Sequence, residues 1–540
     1  MRSIVRQNTK VTSSYIFTTA DNKPLQVDVE DFYFVDGQLS MGGTVHGSEN
    51  SSFLLKGTDE SIYGWVALKD QNIAYEYTTN DAGVVIVEKI PVSKVITICD
   101  IQPPKGYCDC NYMDVNWMQG FYPPIPHIGE YDGSSVNELE SLPGADKVFY
   151  LDITRIMDGE KPTTLGSKAE MWIMWQCVAS TLSMYHINVT TSRSVYDKAG
   201  VPNSGIATFL DQSGIPNADF NSFGTTKTSR NYKTVWGGYG LGTMAAHEIG
   251  HQLGLQHDGG PPSSGGSYFT GFAEYKWVPV MGSYRIAKSW GNDGLLQWSK
   301  GEYDSATSQQ DDLQAIAKYL EFREDDFTDI TPLIISGDGK VSAESNRGQI
   351  HFTTDSDEFS FEIGNTGGHV NLTIDRIEHI GGAMLDVHAE IKDASGNVIE
   401  ESNVPAARYA EFDLDLDKGN YILLIKGGAE GTPQNGFSNY SSLGFYSIDG
   451  TITGAIGIKE NNNVNKSIGI CPVYSGAKLN LDIPKNVKVE KISLHTTNGV
   501  RVYNSHQRVT SIDLSNFAVG MYVLRIAYDG TNLVKNFVKW

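Results

Sequence analysis

The alternation of apolar and polar residues changes along the chain, and each change predicts a different kind of structure. Up to about residue 145, short apolar runs such as 84–87 alternate with polar runs and are separated by turn residues such as 81–83. Short apolar runs bounded by turn residues are typical of strands. We therefore predict that residues 1–145 form a β-rich domain.

The pattern of apolar residues changes after residue 146. Apolar strands are predicted at 148–151 and 187–191, and apolar residues recur at helical spacing over 167–185 and 309–322. Strands that alternate with helices of this length indicate an α/β domain. We assign residues 146–330 to it.

Over residues 335–455, apolar and polar residues alternate with a period of two, as at Val370, Leu372 and Ile374. Turn residues divide these runs, which predicts a β-sandwich accessory domain. An Asn-rich linker is predicted at 456–470.

The last part of the chain, residues 471–540, carries two hairpin signals, Asn498-Gly499 and Asp529-Gly530. It has nine lysines and arginines against four aspartates and glutamates, so it is basic in an otherwise acidic chain. This change of sign predicts a separate, second C-terminal β-sandwich domain.

The composition limits the classes of molecule that the protein is expected to bind. The chain has 42 Lys and Arg against 64 Asp and Glu, a net charge of −22. Such a field repels phosphate backbones and anionic lipids, so neither nucleic acid nor a membrane surface is expected as a partner. No apolar run reaches the length of a membrane-spanning helix, and five cysteines are too few for a disulfide framework.

Three of the twelve histidines lie close together, at His247, His251 and His257. On a helix His247 and His251 lie about 40° apart, so both imidazoles reach one ion. Gly254 can adopt the left-handed conformation that ends a helix and reverses the chain. His257 is therefore predicted to return as a third metal ligand.

Three imidazoles leave the fourth position of a tetrahedral zinc ion open, which is typical of catalytic sites. Glu248 lies beside the ligands in sequence. We expect it to act as a general base that takes a proton from zinc-activated water and delivers it to a leaving amine. The alternative is that this motif occurs by chance, but Gly254 and His257 would then also have to stand at the required spacing by chance.

The segment from His247 to Asp258 resembles the metzincin clan of zinc endopeptidases at every fixed position of HExxHxxGxxHD. The resemblance implies an α/β metzincin catalytic domain, similar to bacterial reprolysin-like proteases, with one zinc ion. It also implies a structural role near the site for Gly254 and Asp258.

Metzincins carry a tight turn with a methionine beneath the zinc, and residues 278–284 resemble it. Met281 is then the apolar floor of the site, although an ordinary core methionine is the alternative. Tyr284 is implied to help stabilise the oxyanion. It follows Met281 by three residues, whereas the tyrosine of the astacin and serralysin branches follows by two.

Residues 335–455 resemble the pre-peptidase-C-like β-sandwich that follows the catalytic domain of many bacterial secreted proteases. Near its start, Asp355, Asp357 and Glu358 are candidates for binding Ca²⁺. A solvated acidic loop is the alternative interpretation.

Residues 471–540 resemble the C-terminal sorting domain of the type IX secretion system. The resemblance implies that the secretion machinery is a partner and that the protein is secreted or displayed on the cell surface. The first residues carry no apolar segment typical of a signal peptide, so a start placed too far downstream or a trimmed chain is expected.

A protease that is exported must stay inactive until it leaves the cell. Residues 1–145 are therefore interpreted as a propeptide. Cys99, Asp100, Cys108 and Cys110 are candidates for an inhibitory zinc ligand, with ordinary structural or surface roles as the alternative.

The leading hypothesis is a secreted zinc metalloendopeptidase, made as a zymogen, that acts on protein or peptide substrates. Two alternatives stay open. One is a surface adhesin or glycan-binding protein with a vestigial protease domain, and the other is a cytoplasmic peptidase.

Overall fold

The computed structural model describes residues 14–97, 135–455 and 469–539. Short gaps inside these ranges are left out of the description, namely 36, 160, 164–166, 234–236, 262–265, 285, 287–293, 344, 365, 378–383, 473–477, 484–487, 497–500, 510, 515–516, 518–519 and 529–530. The predicted linker therefore lies almost wholly outside the described residues.

The chain forms two units, residues 1–458 and 459–540. The described residues are rich in strand and form several β-sheets, as predicted. Within these ranges no helix is long and apolar enough to cross a membrane.

The first unit begins with a seven-stranded antiparallel sheet in which each strand pairs with the next along the chain. Its strands are β1 Ser14–Thr18, β2 Pro24–Val35, β3 Gln38–Val45, β4 Ser48–Gly57, β5 Ile62–Leu68, β6 Ile73–Thr79 and β7 Val85–Ile90. Alternate residues bury one face around Val27, Met41 and Phe53. Trp65 on the other face is fully buried with Val95. Both faces are therefore packed against apolar residues around the middle strands of this sheet.

The central part of the first unit contains a parallel four-stranded sheet, in the order β11-β8-β12-β13, with helices between its strands. Its elements are β8 Lys147–Asp152, β9 Met157–Asp158, β10 Lys161–Pro162, α1 Lys168–Thr181, β11 Ile187–Thr190, α2 Arg193–Ala199, β12 Ser204–Leu210, β13 Thr228–Tyr232, α3 Gly237–Gln252, β14 Trp277–Pro279, β15 Leu295–Gln297 and α4 Asp312–Ala317. The bounds of the predicted domains are not tested by this arrangement, and its metzincin identity stays a prediction.

Two predicted helices are shorter in the structure than in the sequence pattern. The helix predicted over 167–185 ends at Thr181, and the one predicted over 309–322 is only α4. The cause is shared, because Tyr185 forms a bridge with Phe322 and the His186 amide donates to the Glu321 carbonyl at 2.7 Å. Residues at both ends are thus used in extended pairing and cannot continue a helix.

The remainder of the first unit is a sandwich of two five-stranded sheets, β16-β19-β24-β21-β22 and β17-β25-β20-β23 with β18 paired to β25. Its strands are β16 Thr331–Pro332, β17 Lys340–Val341, β18 Arg347–Ile350, β19 Ser356–Ile363, β20 Gly368–Arg376, β21 Val387–Asp393, β22 Val398–Ser402, β23 Tyr409–Leu416, β24 Gly419–Gly427 and β25 Gly444–Ile452. Period-two burial in β20 places Val370, Leu372 and Ile374 in the core.

A buried arginine joins this sandwich to the central part. Arg408 is 2% exposed and lies 3.1 Å from Asp386 and 2.8 Å from Glu430. It also donates to the backbone carbonyl of Tyr275 in the central part. One guanidinium therefore pairs with two buried carboxylates.

The second unit contains a three-stranded and a four-stranded sheet, β26-β27-β30 and β29-β28-β31-β32. Its strands are β26 Gly469–Pro472, β27 Lys478–Asp482, β28 Val489–Thr496, β29 Arg501–Ser505, β30 Ser511–Asp513, β31 Gly520–Tyr528 and β32 Thr531–Lys539. β28 pairs with β29 and β31 with β32, as the two hairpin signals predict. The turn residues themselves lie outside the described residues.

Arg408→Leu is expected to lower the free energy of unfolding by about 3–5 kcal/mol, because it leaves Asp386 and Glu430 as buried charges with their main partner removed. Urea unfolding followed by tryptophan fluorescence measures this change. The control is Arg193→Leu, since Arg193 pairs with Asp197 at the surface and should lose less than about 1 kcal/mol. Equal effects of the two variants would contradict this account of the join.

Candidate metal centre

Helix α3 carries two of the three predicted metal ligands. Every residue from Gly238 to Gln252 is buried, so the helix crosses the interior of the unit. Gly242 permits close approach to helix α1, because a Cβ at this position would lie 2.5 Å from the Cys177 Cβ. The ligand helix thus packs closely against α1 at this position.

The chain reversal after α3 is built on Gly254. Its φ of +90° lies in the left-handed region, its amide donates to the His251 carbonyl at 2.9 Å, and the Leu255 amide donates to the Gly250 carbonyl at 2.9 Å. These two bonds form a Schellman motif, which caps the helix. Helix α3 therefore ends in a left-handed cap at Gly254.

The reversal brings His257 back to the two helical histidines. One ring nitrogen from each of His247, His251 and His257 lies within 4.8 Å of the other two. The Nε2 atoms of His251 and His257 are 3.1 Å apart. The structure therefore brings together the three residues that the sequence selects.

Backbone carbonyls orient two of the rings. The Nδ1 of His247 lies 2.8 Å from the Val280 carbonyl, and the Nδ1 of His251 lies 2.7 Å from the Leu255 carbonyl. A carbonyl only accepts, so each Nδ1 carries the proton and each Nε2 presents a lone pair. This is the tautomer in which histidine binds a metal through Nε2.

The surroundings favour the neutral form of two of the imidazoles. Burial lowers the pKa of His251 well below its ordinary value, with His247 and His257 adding to the effect. Burial also lowers the pKa of His257 to about 4. Metal ligation needs neutral imidazole, so both rings are in the form that binds a metal at neutral pH.

The triad fits zinc by ligand type and spacing. Nitrogen ligands at about 2.0–2.1 Å from a tetrahedral zinc ion lie about 3.3 Å from one another. The 3.1 Å between the Nε2 atoms of His251 and His257 is close to this value. Among the described residues, the group supplies three protein ligands, the number found in catalytic zinc sites.

Met281 lies beneath the ligand helix. It is fully buried, and a Cβ at Gly250 would lie 2.5 Å from its sulfur. The tight turn around it is closed by the Gly282 amide, which donates to the Pro279 carbonyl at 3.0 Å. The Met281 carbonyl accepts from the Asp258 amide at 2.9 Å, so this turn also fixes the residue after His257.

The Asp258 side chain is buried below the site. Burial raises the pKa of its carboxyl to about 7. A second buried carboxyl, Asp312, lies close enough for the charge of Asp258 to raise its pKa further. Asp258 thus belongs to the packed base of the site, where the family resemblance implies a structural role.

The two predicted catalytic side chains are both buried beside the triad. Glu248 follows His247 on helix α3 and is 0% exposed. The ring of Tyr284 is centred 5.0 Å from that of His247. Both positions are compatible with the predicted roles, which they do not test.

Sequence reasoning missed a second tyrosine. The ring of Tyr268 is centred 4.5 Å from that of His257 and 6.3 Å from that of His247. Unlike Tyr284, it is partly exposed to solvent. No periodicity or motif marks Tyr268, since it lies in a loop whose position depends on the tertiary fold.

The N-terminal sheet reaches the site through a short pairing. The Phe220 amide donates to the Val95 carbonyl, and the Thr97 amide donates to the Ala218 carbonyl, both at 3.0 Å. The Phe220 ring then packs edge-on against His251, with centroids 5.1 Å apart. The predicted latency ligands Cys99, Asp100, Cys108 and Cys110 lie outside the described residues.

Asn221 completes this connection. Its amide donates to the His251 carbonyl at 3.1 Å, and its side chain donates to the Tyr63 hydroxyl of β5 at 3.1 Å. It also accepts from the Tyr319 hydroxyl at 2.8 Å. Through its backbone amide and its side chain, this one residue therefore contacts the ligand helix, the N-terminal sheet and the segment after α4.

Comparison with known proteins identifies the end of the chain. Residues 472–539 match the secretion system C-terminal sorting domain. This confirms the predicted type IX sorting domain and indicates a secreted or cell-surface protein. No curated protein matches the chain.

Two solved structures are weakly similar. A β-glucuronidase from an uncultured Clostridium sp. is 13% identical, with 34% of each chain covered and a TM-score of 0.14. The BSP domain of a biofilm-associated protein is 11% identical, with 32% of this chain and 44% of that chain covered and a TM-score of 0.11. The chain thus spans about a third of the glucuronidase's length, and TM-scores this low do not indicate a shared fold.

Gly254→Ala is expected to lower stability by about 1 kcal/mol or more and to weaken zinc binding. Its Cβ would need a strained φ and would lie 2.5 Å from the Asn221 Oδ1, so the turn that places His257 must shift. Thermal unfolding and competition with a chromophoric zinc chelator measure the two effects.

Gly396→Ala is the matched control. Gly396 has a φ of +85° in the turn between β21 and β22, with open space around its missing Cβ. It should lose stability through backbone strain but keep wild-type zinc affinity. A Gly254→Ala protein that binds zinc as tightly as wild type would contradict the role of this turn.

Proposed function

We propose that this protein is a secreted zinc metalloendopeptidase that hydrolyses peptide bonds in proteins. The observation that carries the proposal is the convergence of His247, His251 and His257, with two of their rings held in the metal-binding tautomer by backbone carbonyls. Three neutral nitrogen ligands are the donor set of a catalytic zinc site, in which one position stays open.

A zinc ion in such a site supplies Lewis acidity, which lowers the pKa of water towards about 7 and polarises a carbonyl oxygen. Glu248 supplies the proton transfer in this proposal. Its carboxylate takes a proton from the attacking water and then donates it to the leaving amine. Its place next to His247 on α3 fixes it beside the metal ligands without making it one of them.

The tyrosines beside the triad supply hydroxyl donors for the charge that develops on the carbonyl oxygen. Tyr284 is buried against His247, whereas Tyr268 is partly exposed against His257. We assign the carbonyl contact to Tyr284, as the family resemblance implies. Tyr268 is then on the solvent side, where it contacts the incoming peptide.

The N-terminal sheet is interpreted as a propeptide because it packs on the segment that supports the ligand helix. In addition to the pairing at Phe220, the Lys56 ammonium donates to the Phe223 carbonyl at 2.9 Å and lies 4.9 Å from the centre of the Tyr319 ring. Burial lowers the pKa of Lys56 to about 7, so its charge is costly in this position. Removal of the sheet would expose this surface to water.

Secretion through the type IX machinery follows from the sorting domain. Residues 472–539 are the part of the chain that this machinery recognises in the proposal. Protein substrates outside the cell are then the class available to the enzyme. The alternative is an adhesin with a vestigial protease domain. The next experiment distinguishes it from an active peptidase.

Glu248→Gln is expected to keep zinc and to lose about 10²–10⁴-fold in the hydrolysis of a labelled protein substrate, because the amide cannot accept the proton. Zinc content by mass spectrometry and hydrolysis before and after limited trypsin treatment are the measurements. Glu274→Gln is the control, since Glu274 is exposed and lies in a 3₁₀ turn away from the triad.

Two results would oppose the proposal in different ways. Near wild-type hydrolysis by Glu248→Gln would refute the role of this carboxylate. A wild-type chain that binds zinc and cleaves no protein, either before or after trypsin treatment, would refute the peptidase and favour the adhesin.

Deletion of residues 472–539 is expected to abolish export, since the signal recognised by the secretion machinery is lost. Immunoblots of cell and medium fractions measure this in the native host. Full-length Glu248→Gln is the control, because it should be exported whether or not it is active. Unchanged export after the deletion would contradict the assignment.

A further inference from the structure

The sandwich contains a carboxylate in a position that normally holds an apolar residue. Asp357 lies on the core-facing side of β19 with Phe359 and Phe361, and it is 0% exposed. Its Oδ2 accepts from the Tyr446 hydroxyl at 2.5 Å, whereas its buried Oδ1 has no hydrogen-bond partner. Such a group is costly unless something compensates its charge.

Other acidic side chains face the same point. One carboxylate oxygen from each of Asp325, Asp326 and Asp357 lies within 4.8 Å of the other two. A second group, Asp325, His351 and Asp355, meets the same distance limit and shares Asp325. Four carboxylates and one imidazole therefore gather where the segment after α4 meets the start of the sandwich.

The described residues supply little positive charge to this cluster. No described lysine or arginine nitrogen lies within 4.0 Å of its carboxylates. The ion pairs that it forms involve His351, whose Nδ1 is 3.5 Å from Asp355 and 3.8 Å from Asp326. That Nδ1 is buried and makes no hydrogen bond. A cation from solution would balance the cluster.

We propose that Asp325, Asp326 and Asp357 bind one Ca²⁺ ion, with Asp355 held beside them. Ca²⁺ prefers carboxylate oxygens at about 2.3–2.6 Å, so two ligands of one ion lie at most about 5 Å apart. The three oxygens meet this limit. The Oδ1 of Asp357 is the ligand that the fold fixes most firmly, because Tyr446 holds the other oxygen of the same carboxylate.

The ion would tie two parts of the first unit together. Asp325 and Asp326 lie between α4 and β16, whereas Asp357 lies in β19. Asp326 also accepts from the Gln349 amide at 3.1 Å, and the Gln349 side chain donates to the Ser183 carbonyl of the central part at 2.8 Å. The site thus lies on the join between the central part and the sandwich, separate from the histidine triad.

The proposed site differs from the sequence-based calcium candidates. Glu358 follows Asp357 in β19, and successive residues of a strand point to opposite faces. It is absent from both groups of described residues that meet the distance limit. Asp325 and Asp326, which precede β16, take its place among the proposed ligands.

Calorimetric titration of the full chain with CaCl₂ tests the proposal. We expect one site with a Kd between about 10⁻⁶ and 10⁻³ M and a thermal midpoint that rises with calcium. Asp357→Asn should abolish the binding while keeping an acceptor for Tyr446. It should also be more stable than wild type without calcium, since it removes an uncompensated buried carboxylate.

Asp325→Asn is a second variant, since its amide oxygen can still accept from the Phe327 amide. It should weaken calcium binding at least about tenfold. Asp415→Asn is the control, because Asp415 lies in β23 of the same sandwich and its side chain is 91% exposed. It should bind calcium as wild type does.

Three results would overturn the proposal. They are the absence of calcium binding in wild type, unchanged binding in Asp357→Asn, and a thermal midpoint that responds to ZnCl₂ or MgCl₂ but not to CaCl₂. None of them bears on the histidine triad, since Glu248→Gln and wild type should bind calcium equally. Failure here is therefore distinguishable from failure of the proposed peptidase.

Discussion

Two backbone carbonyls that orient the rings of His247 and His251 are the constraint on which the site depends. A histidine pair on one helix face reaches an ion only if both Nε2 atoms carry lone pairs, and the carbonyls of Val280 and Leu255 impose that tautomer. Leu255 can do so only because Gly254 reverses the chain directly after α3. The same reversal delivers His257, so one turn supplies both the orientation and the third ligand.

The surrounding structure supports this turn from several directions. Met281 packs against Gly250, while Asn221 holds the end of α3 through the His251 carbonyl. Buried charge is handled differently at the join with the sandwich. There Arg408 pairs with two carboxylates, and the cluster around Asp357 is proposed to take a cation from solution. Both arrangements link parts of the chain that are distant in sequence.

The sequence predicted most of what depends on local spacing. The ligand histidines, the helix end at Gly254, the strand-rich architecture and the sorting domain follow from periodicity or a short motif. Tyr268, Asn221 and the acidic pair at 325–326 could not be found in this way. Their roles arise from contacts between distant segments, such as the pairing of 95–97 with 218–220. The helix over 309–322 was predicted too long because extended pairing with Tyr185 overrides its periodicity.

The most direct test of the central claim is zinc K-edge X-ray absorption on the purified full chain, combined with its zinc content. The account predicts one zinc ion per chain, with nitrogen or oxygen ligands at about 2.0–2.1 Å and outer-shell scattering from three imidazoles. His257→Ala should reduce that scattering to two imidazoles. A chain without zinc, or a zinc shell that His257→Ala leaves unchanged, would contradict the account.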